Sequence, residues 1–237
     1  DRRGRGGLPH RADPMTGYDT LLDILTRRHS CRGFRPDPVP RAEIEAVLAA
    51  AQRVPSWCNA QPWQVIVTGG EETERLRAGL MAEAAAGADA PDIPFPERYE
   101  GAYRERRSVC GWQLYGAVGV RRGDREGSQA QMMENFRFFG APHVALITSP
   151  AALGPYGVLD CGGYVTAFTL AAEARGIATI PQAAVALCSP FLHRHFGIGD
   201  DRLIVCAVSF GYEDADHPAN AFRTERAALD EVVDWRG

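Results

Sequence analysis

The chain has 237 residues, and its 26 basic and 30 acidic side chains give a formal net charge of −4. Such a chain lacks the basic footprint of a general nucleic-acid-binding protein, and its apolar runs are far too short to cross a bilayer. Every basic residue is arginine, which excludes lysine Schiff-base chemistry and a lysine-bearing phosphate loop.

The spacing of apolar residues predicts alternating helices and strands. Residues 1–14, rich in Gly and Arg, are interpreted as a flexible tail ahead of a single domain over residues 15–237. The predicted helices cover residues 18 to about 28–30, 41–53, 73–86, 104–119 with an interruption, 131–139, 160–175 and 190–196. The predicted strands cover residues 64–68, 143–148, 177–180 and 203–210.

Two long segments have little regular pattern. Residues 87–128 include irregular stretches at 87–98 and 123–128, and we expect this lid-like insertion to cover a site, as long loops in compact domains often do. Residues 211–237 are mostly polar and have no core of their own. They therefore need a surface to lie on, and a second subunit is one candidate.

The cysteines and histidines do not predict a metal site. No pair of the six cysteines has Cys-x-x-Cys spacing, so zinc and iron–sulfur sites are not expected. His193 and His195 are two residues apart on a predicted helix and point to different faces. Because no apolar segment of signal-peptide type stands among the first residues, we expect a cytoplasmic protein with free thiols.

Three polar segments carry candidate binding chemistry. Residues 27–32 suit a phosphate, or form a cationic helix terminus favoured by the helix dipole. Residues 55–63 offer Ser, Asn and Gln side chains to a polar heterocycle, or form a structural turn anchored by Trp. Residues 220–226 place two arginines three positions apart, which suits a phosphate or surface ion pairs. The residue chemistry alone leaves both interpretations open for each segment.

Taken together and in this order, these segments resemble the nitroreductase family, whose members are FMN-dependent oxidoreductases that use NAD(P)H. The matching motifs are Arg28-His29-Ser30-x-Arg32, Pro55-Ser56-x-x-Asn59-x-Gln61-Pro62-Trp63, Gly176-x-x-Thr179-x-Pro181-Gln182-Ala183, Gly211-Tyr212 and Arg226. The likeness covers about residues 18–237. The Pro-Gln-Ala variant and the long middle insertion are most similar to the bacterial NAD(P)H nitroaromatic reductases.

The resemblance implies an α+β fold of three layers, α-β-α, with a central, mainly antiparallel sheet flanked by helices. It also implies an intertwined homodimer with FMN at the subunit interface and with residues 211–237 wrapped around the partner.

The site residues follow from the resemblance by position. The phosphate, ribityl and pyrimidine end of FMN is expected to contact Arg28, His29, Ser30, Arg32, Arg223 and Arg226. The other subunit is expected to bring Pro55, Ser56, Trp57 and Asn59 onto the flavin ring. Beside the ring we expect Pro181, Gln182, Ala183 and Ala184, with a backbone N–H of one of the two alanines facing N5. Tyr115 and Phe138 are candidates for the substrate face.

The implied activity is hydride transfer from NAD(P)H to nitroaromatic or similar small oxidised acceptors by a ping-pong mechanism. Flavin N5 carries the hydride, so no catalytic side chain is nominated. Two alternatives stay open on the same fold. One is another flavin reaction, such as dehalogenation, flavin fragmentation or ring dehydrogenation, and the other is a non-catalytic dimer that binds FMN or another ligand.

Overall fold

The structure is a computed structural model that describes residues 16–237, so the predicted tail at 1–14 lies outside the described residues. The helices are α1 (Gly17–Arg27), α2 (Arg41–Ala51), α3 (Glu71–Ala85), α4 (Gly101–Ala117), α5 (Arg125–Met133), α6 (Gly154–Ala174) and α7 (Ser189–Phe196). The strands are β1 (Gln64–Thr68), β2 (His143–Pro150), β3 (Ala178–Gln182) and β4 (Arg202–Gly211).

The four strands form one sheet in the order β1-β2-β4-β3, and each neighbouring pair is antiparallel. The central pair, β2 and β4, is buried along most of its length. Beyond β3, Ser30 forms an isolated parallel bridge with Thr179, so the chain that leaves α1 runs along this edge of the sheet.

Helices cover both faces of the sheet, because the side chains of β2 point alternately to two separate cores. Val144 and Leu146 pack in one core with residues of α3 and α7. Ala145 and Ile147 pack in the other with residues of α2 and α6. Successive side chains of a strand point to opposite faces, so a strand that is buried on both faces contributes to two cores in this way. The arrangement confirms the expected three-layer α+β fold.

The middle of the chain differs from the sequence prediction in two places. The polar stretch 123–128 is not all loop, because the Asp124 side chain accepts a hydrogen bond of 2.8 Å from the Gly127 N–H and starts α5. The helix predicted over 131–139 ends at Met133, and Phe138 and Phe139 then adopt φ values of 59° and 52°. A right-handed helix cannot include such residues.

Two other helices also have different bounds. α4 is continuous over Gly101–Ala117, where an interruption was predicted. α6 begins at Gly154 rather than near residue 160, and it has a proline in its first turn, where the missing N–H costs no helical hydrogen bond.

Candidate functional site

A cavity of about 570 Å³ brings together two of the three polar segments singled out in the sequence. One wall comes from the end of α1 and the segment after it, and the opposite wall comes from the C-terminal tail. The lining residues are Leu25, Thr26, Arg28, His29, Ser30, Arg32, Cys110, Phe222, Arg223, Thr224 and Arg226.

The first wall owes its geometry to the way α1 ends. A capping box between Thr16 and Asp19 starts the helix, and Arg28, its C-cap, has ψ of 125°, which turns the chain into an extended conformation. The Cys31 N–H then donates to the Thr179 carbonyl at 3.0 Å. Because side chains alternate along an extended chain, Cys31 is fully buried while its two neighbours line the cavity.

The second wall comes from residues 222–226, which we call the arginine arm; every residue of this segment except Glu225 lines the cavity. The guanidinium of Arg223 donates to the Asn220 carbonyl at 2.7 Å. That of Arg226 donates to the Thr224 hydroxyl at 2.8 Å. The guanidinium carbon of Arg32, on the first wall, lies 5.8 Å from the centre of the Phe222 ring. The first two contacts are local to the tail, and the third joins the arm to the first wall.

The cavity is strongly cationic. Four guanidinium groups line it, and within residues 16–237 its wall includes no carboxylate. Burial, together with the charge of Arg226, lowers the pKa of Arg28. Burial also lowers the pKa of Arg32. Both shifts mean that these cations are less stable here than in water, so an anion in the cavity would relieve a real electrostatic cost.

His29 also lines the cavity, and one of its ring nitrogens bonds to a group outside it. Its Nε2 lies 3.1 Å from the Glu213 carboxylate, which follows β4. The ring is mostly buried and therefore fixed in orientation. Glu213 thus supports the wall from behind, a role that no sequence motif indicates.

The loop of residues 55–61 is mostly exposed, Pro62 after it is buried, and the loop does not reach this cavity within the described protomer. Cys58, Asn59 and Gln61 have φ values of 50°, 56° and 49°, which is the left-handed region that non-glycine residues seldom occupy. The Asp160 carboxylate accepts from the Trp57 N–H at 3.1 Å and holds the loop in place. Such conformations persist where the surroundings impose them, and they cluster at functional sites.

The end of β3 presents two exposed residues, Pro181 and Ala183, on either side of a buried Gln182. The Gln182 amide donates to the Asn135 carbonyl at 2.8 Å, and its oxygen accepts from the Ser209 hydroxyl. The strand end is therefore rigid. It also lies on the same sheet edge as the first wall, because Ser30 bridges to Thr179 in the same strand.

The two candidates for the substrate face have different environments. Tyr115 on α4 is partly exposed and packs edge-on against Trp112, with ring centres 5.5 Å apart. Phe138 is fully buried in the core with α3, and the Arg77 guanidinium covers its ring. The expectation that Phe138 faces a substrate is therefore wrong for this conformation, since a side chain with no exposed surface cannot contact one.

His193 and His195 each bond to a carboxylate outside their own helix and not to each other. His193 bonds to Asp92 and His195 to Glu72, so the two rings do point apart. Over residues 16–237, no group of three or more His, Cys, Asp or Glu is placed to hold a metal ion.

The six cysteines all lie in the described range and are free. Burial raises the pKa of Cys31 and of Cys206 to about 12. It raises the pKa of Cys161 and of Cys188 to about 11. In the same range no helix is both long and apolar enough to cross a bilayer.

Known proteins resemble this chain over most of its length. The model of the nitroreductase family matches residues 25–212. The nitroreductase NfnB of Mycolicibacterium smegmatis is 35% identical over 89% of this chain and 90% of its own. A 4-nitrobenzoate reductase of a Nocardioides species is 32% identical over 89% of this chain and 87% of its own. A crystal structure of the FMN-dependent NfnB from Mycobacterium smegmatis in complex with NADPH superimposes with a TM-score of 0.89, at 33% identity, over 93% of this chain and 99% of that one.

Proposed function

The chain belongs to the nitroreductase family, and from this premise we propose that it is an FMN-dependent oxidoreductase that reduces nitroaromatic compounds with NAD(P)H. One observation within the molecule carries the proposal. Four guanidinium groups surround a cavity whose wall, over residues 16–237, has no carboxylate, and the cavity lies at the sheet edge formed by Ser30 and Thr179. The relatives named above are nitroaromatic reductases, and one of them is described with FMN and NADPH.

The donor set of the cavity fits FMN. A phosphate monoester carries a charge of about −1.5 to −2 at neutral pH, and planar guanidinium groups bind it through paired hydrogen bonds. Arg28, Arg223 and Arg226 would hold the phosphate. Ser30 and His29 would serve the polyhydroxyl chain, since a hydroxyl and an imidazole both donate and accept hydrogen bonds. The charge and the hydrogen-bonding groups of this wall therefore match those of FMN.

Bound FMN would supply the redox chemistry, which is two-electron transfer from NAD(P)H to the nitro acceptor in a ping-pong cycle. The side chains supply placement and charge. Arg32 would provide a fixed positive charge near the pyrimidine end of the ring, because its guanidinium cannot lose its proton at neutral pH. Pro181, Ala183 and Ala184 would form a rigid shelf beside the ring, anchored by the two hydrogen bonds of Gln182.

We further propose a homodimer. α1 has no buried residue, although its apolar side chains are large: Tyr18 is 71% exposed, and Leu21, Leu22 and Leu25 are each 46–47% exposed. Trp235 at the end of the tail is 82% exposed. Monomeric proteins seldom leave such apolar surface in water. Pairing would cover it and would bring Pro55, Ser56, Trp57 and Asn59 of one protomer towards the flavin of the other.

The purified protein should be yellow, and a nitroarene should strongly accelerate its steady-state oxidation of NADPH or NADH. Anaerobic reduction of the bound flavin by each nucleotide, followed by a screen of acceptors, tests this directly. A colourless protein that gains no thermal stability from added FMN would contradict the proposal. Flavin that neither nucleotide reduces would indicate a binding protein instead, and a product screen distinguishes nitro reduction from the other flavin reactions.

A further inference from the structure

Asn220 occupies a central position behind the cavity, although it does not line it. Its side chain is only 4% exposed. The amide oxygen accepts from the Arg32 N–H at 2.7 Å. The amide nitrogen donates to the carbonyls of Gly33 and Asp214, each at 2.9 Å. The amide oxygen and both amide N–H groups are therefore hydrogen-bonded, and the partners identify which amide atom is the oxygen and which is the nitrogen.

These bonds join three parts of the chain that are far apart in sequence. Arg32 belongs to the first wall and Gly33 follows it, Asp214 follows β4, and Asn220 itself comes just before the arginine arm. Its backbone carbonyl also accepts from the Arg223 guanidinium at 2.7 Å. One buried residue therefore sets the position of the arm relative to the first wall.

The arm needs such an attachment, because the charges on the two walls repel each other. Arg226 is one of the causes that lower the pKa of Arg28, which means that the two cations destabilise each other. Before an anion enters, electrostatics pushes the arm away from the first wall. The hydrogen bonds of Asn220 oppose that repulsion, and they are buried, where such bonds are costly to break.

Close packing at Gly33 supports the same role. A Cβ atom at this position would overlap the His217 ring, so the tail lies directly against the first-wall segment. The Asp214 N–H also donates to the Gly33 carbonyl at 3.0 Å. The tail is thus held against this segment by close packing as well as by the hydrogen bonds of the Asn220 amide.

We propose that Asn220 is a positioning residue that holds the arginine arm in its phosphate-binding place before FMN arrives. The inference rests on the proposed function. A preformed cationic site binds its anion more tightly, since the ordering of the arm does not have to occur during binding.

The test compares FMN with riboflavin, which lacks the phosphate, on the full-length protein after removal of its flavin. Asn220→Ala should raise the Kd for FMN about tenfold and change the Kd for riboflavin less than about twofold. In a background that carries Arg223→Ala and Arg226→Ala, the effect of Asn220→Ala on FMN should largely disappear, because there is no arm charge left to place. In an Arg28→Ala background the effect should become smaller but remain, because the repulsion that Asn220 opposes is weaker there while the arm still carries its two charges.

Thr73→Val is the matched control. Thr73 is 1% exposed, and its hydroxyl bonds to that of Thr68 at 2.9 Å, away from the cavity. This variant should lower the melting temperature without changing the FMN to riboflavin ratio. If Asn220→Ala is insoluble, Asn220→Ser, which retains a small polar side chain, should show the same selective loss for FMN.

Equal losses for FMN and riboflavin, or an unchanged FMN Kd, would overturn the role of Asn220. These outcomes are distinct from failure of the proposed function, in which the unsubstituted protein itself would bind no FMN.

Discussion

Arg226→Ala separates the two effects that a cation on the arginine arm can have, one on FMN affinity and one on folding. In the structure Arg226 is exposed, and its guanidinium donates to the Thr224 carbonyl and hydroxyl and to the Glu225 carbonyl, all within its own turn. Exposed bonds of this kind contribute little to stability. Its removal also relieves the repulsion that lowers the pKa of Arg28. The free energy of unfolding of the flavin-free protein should therefore not fall, and it should rise slightly.

Binding of FMN should respond in the opposite direction. A hydrogen bond to a charged group contributes roughly 1.5–3 kcal/mol, and the exposure of Arg226 favours the lower end. A loss of about 1.4 kcal/mol corresponds to a tenfold higher Kd. At a fixed excess of FMN, the stabilisation that the ligand provides should fall by the same ~1.4 kcal/mol. The difference should shrink at high salt, where charges are screened.

Flavin fluorescence titration gives the Kd, and thermal unfolding with and without FMN gives the stability. Arg236→Ala is the matched control, since Arg236 lies in the same tail and, among residues 16–237, pairs only with the neighbouring Asp234. It should change neither quantity. If Arg226→Ala binds FMN as tightly as the unsubstituted protein, the arm does not hold the phosphate. If it destabilises the flavin-free protein by more than about 1 kcal/mol, the assigned charge repulsion is wrong.

Three further predictions follow from single residues. Arg32→Gln removes the fixed cation near the ring, so the flavin midpoint potential measured by dye equilibration should become more negative by about 30 mV per 1.4 kcal/mol of lost stabilisation, and Arg32→Lys should restore most of it. Burial lowers the pKa of His143 from 6.5, and its ring accepts a hydrogen bond from the Val39 N–H. The neutral ring therefore stabilises the folded protein. This contribution to the free energy of unfolding is complete above about pH 6.5 and is lost as the pH falls towards the lowered pKa of the folded state. Denaturant titrations at pH 7.5 and 5.5 should therefore differ less for His143→Gln than for the unsubstituted protein, and an unchanged difference would refute the assignment. Gly33→Ala should weaken FMN binding and lower stability by about 1–3 kcal/mol through overlap with the His217 ring, whereas Gly17→Ala, where a Cβ meets open space, should do neither.

The elements of the fold could be predicted where their signals are local. The runs at 64–68, 143–148 and 203–210 are apolar enough to read as strands, and all three occur with closely similar bounds. The end of α5 could not be predicted in this way. Phe138 and Phe139, which extend the helical spacing of apolar residues beyond it, are buried in left-handed conformations that no local pattern indicates.

The candidate site shows the same division between local and distant causes. The cationic character of 27–32 and 220–226 can be seen in the sequence, but each segment alone is equally consistent with an ordinary charged surface. About 190 positions separate the two segments, and only the fold places them around one cavity. The contribution of Asn220 is less accessible still, because in the described part of the chain its side chain bonds only to backbone atoms, which any sequence would provide.

The distribution of thiols makes this protein suited to chemical labelling in its natural sequence. Burial raises the pKa of four cysteines to about 11 or 12, so at pH 8 they hold very little reactive thiolate. Cys58 is exposed on the strained loop, and Cys110 is half-buried on the cavity wall. An alkylating reagent should therefore add to these two sites first, and mass spectrometry can follow each separately. The rate at Cys110 would then report occupancy of the cavity, and the rate at Cys58 would report whether the loop is covered by a second protomer.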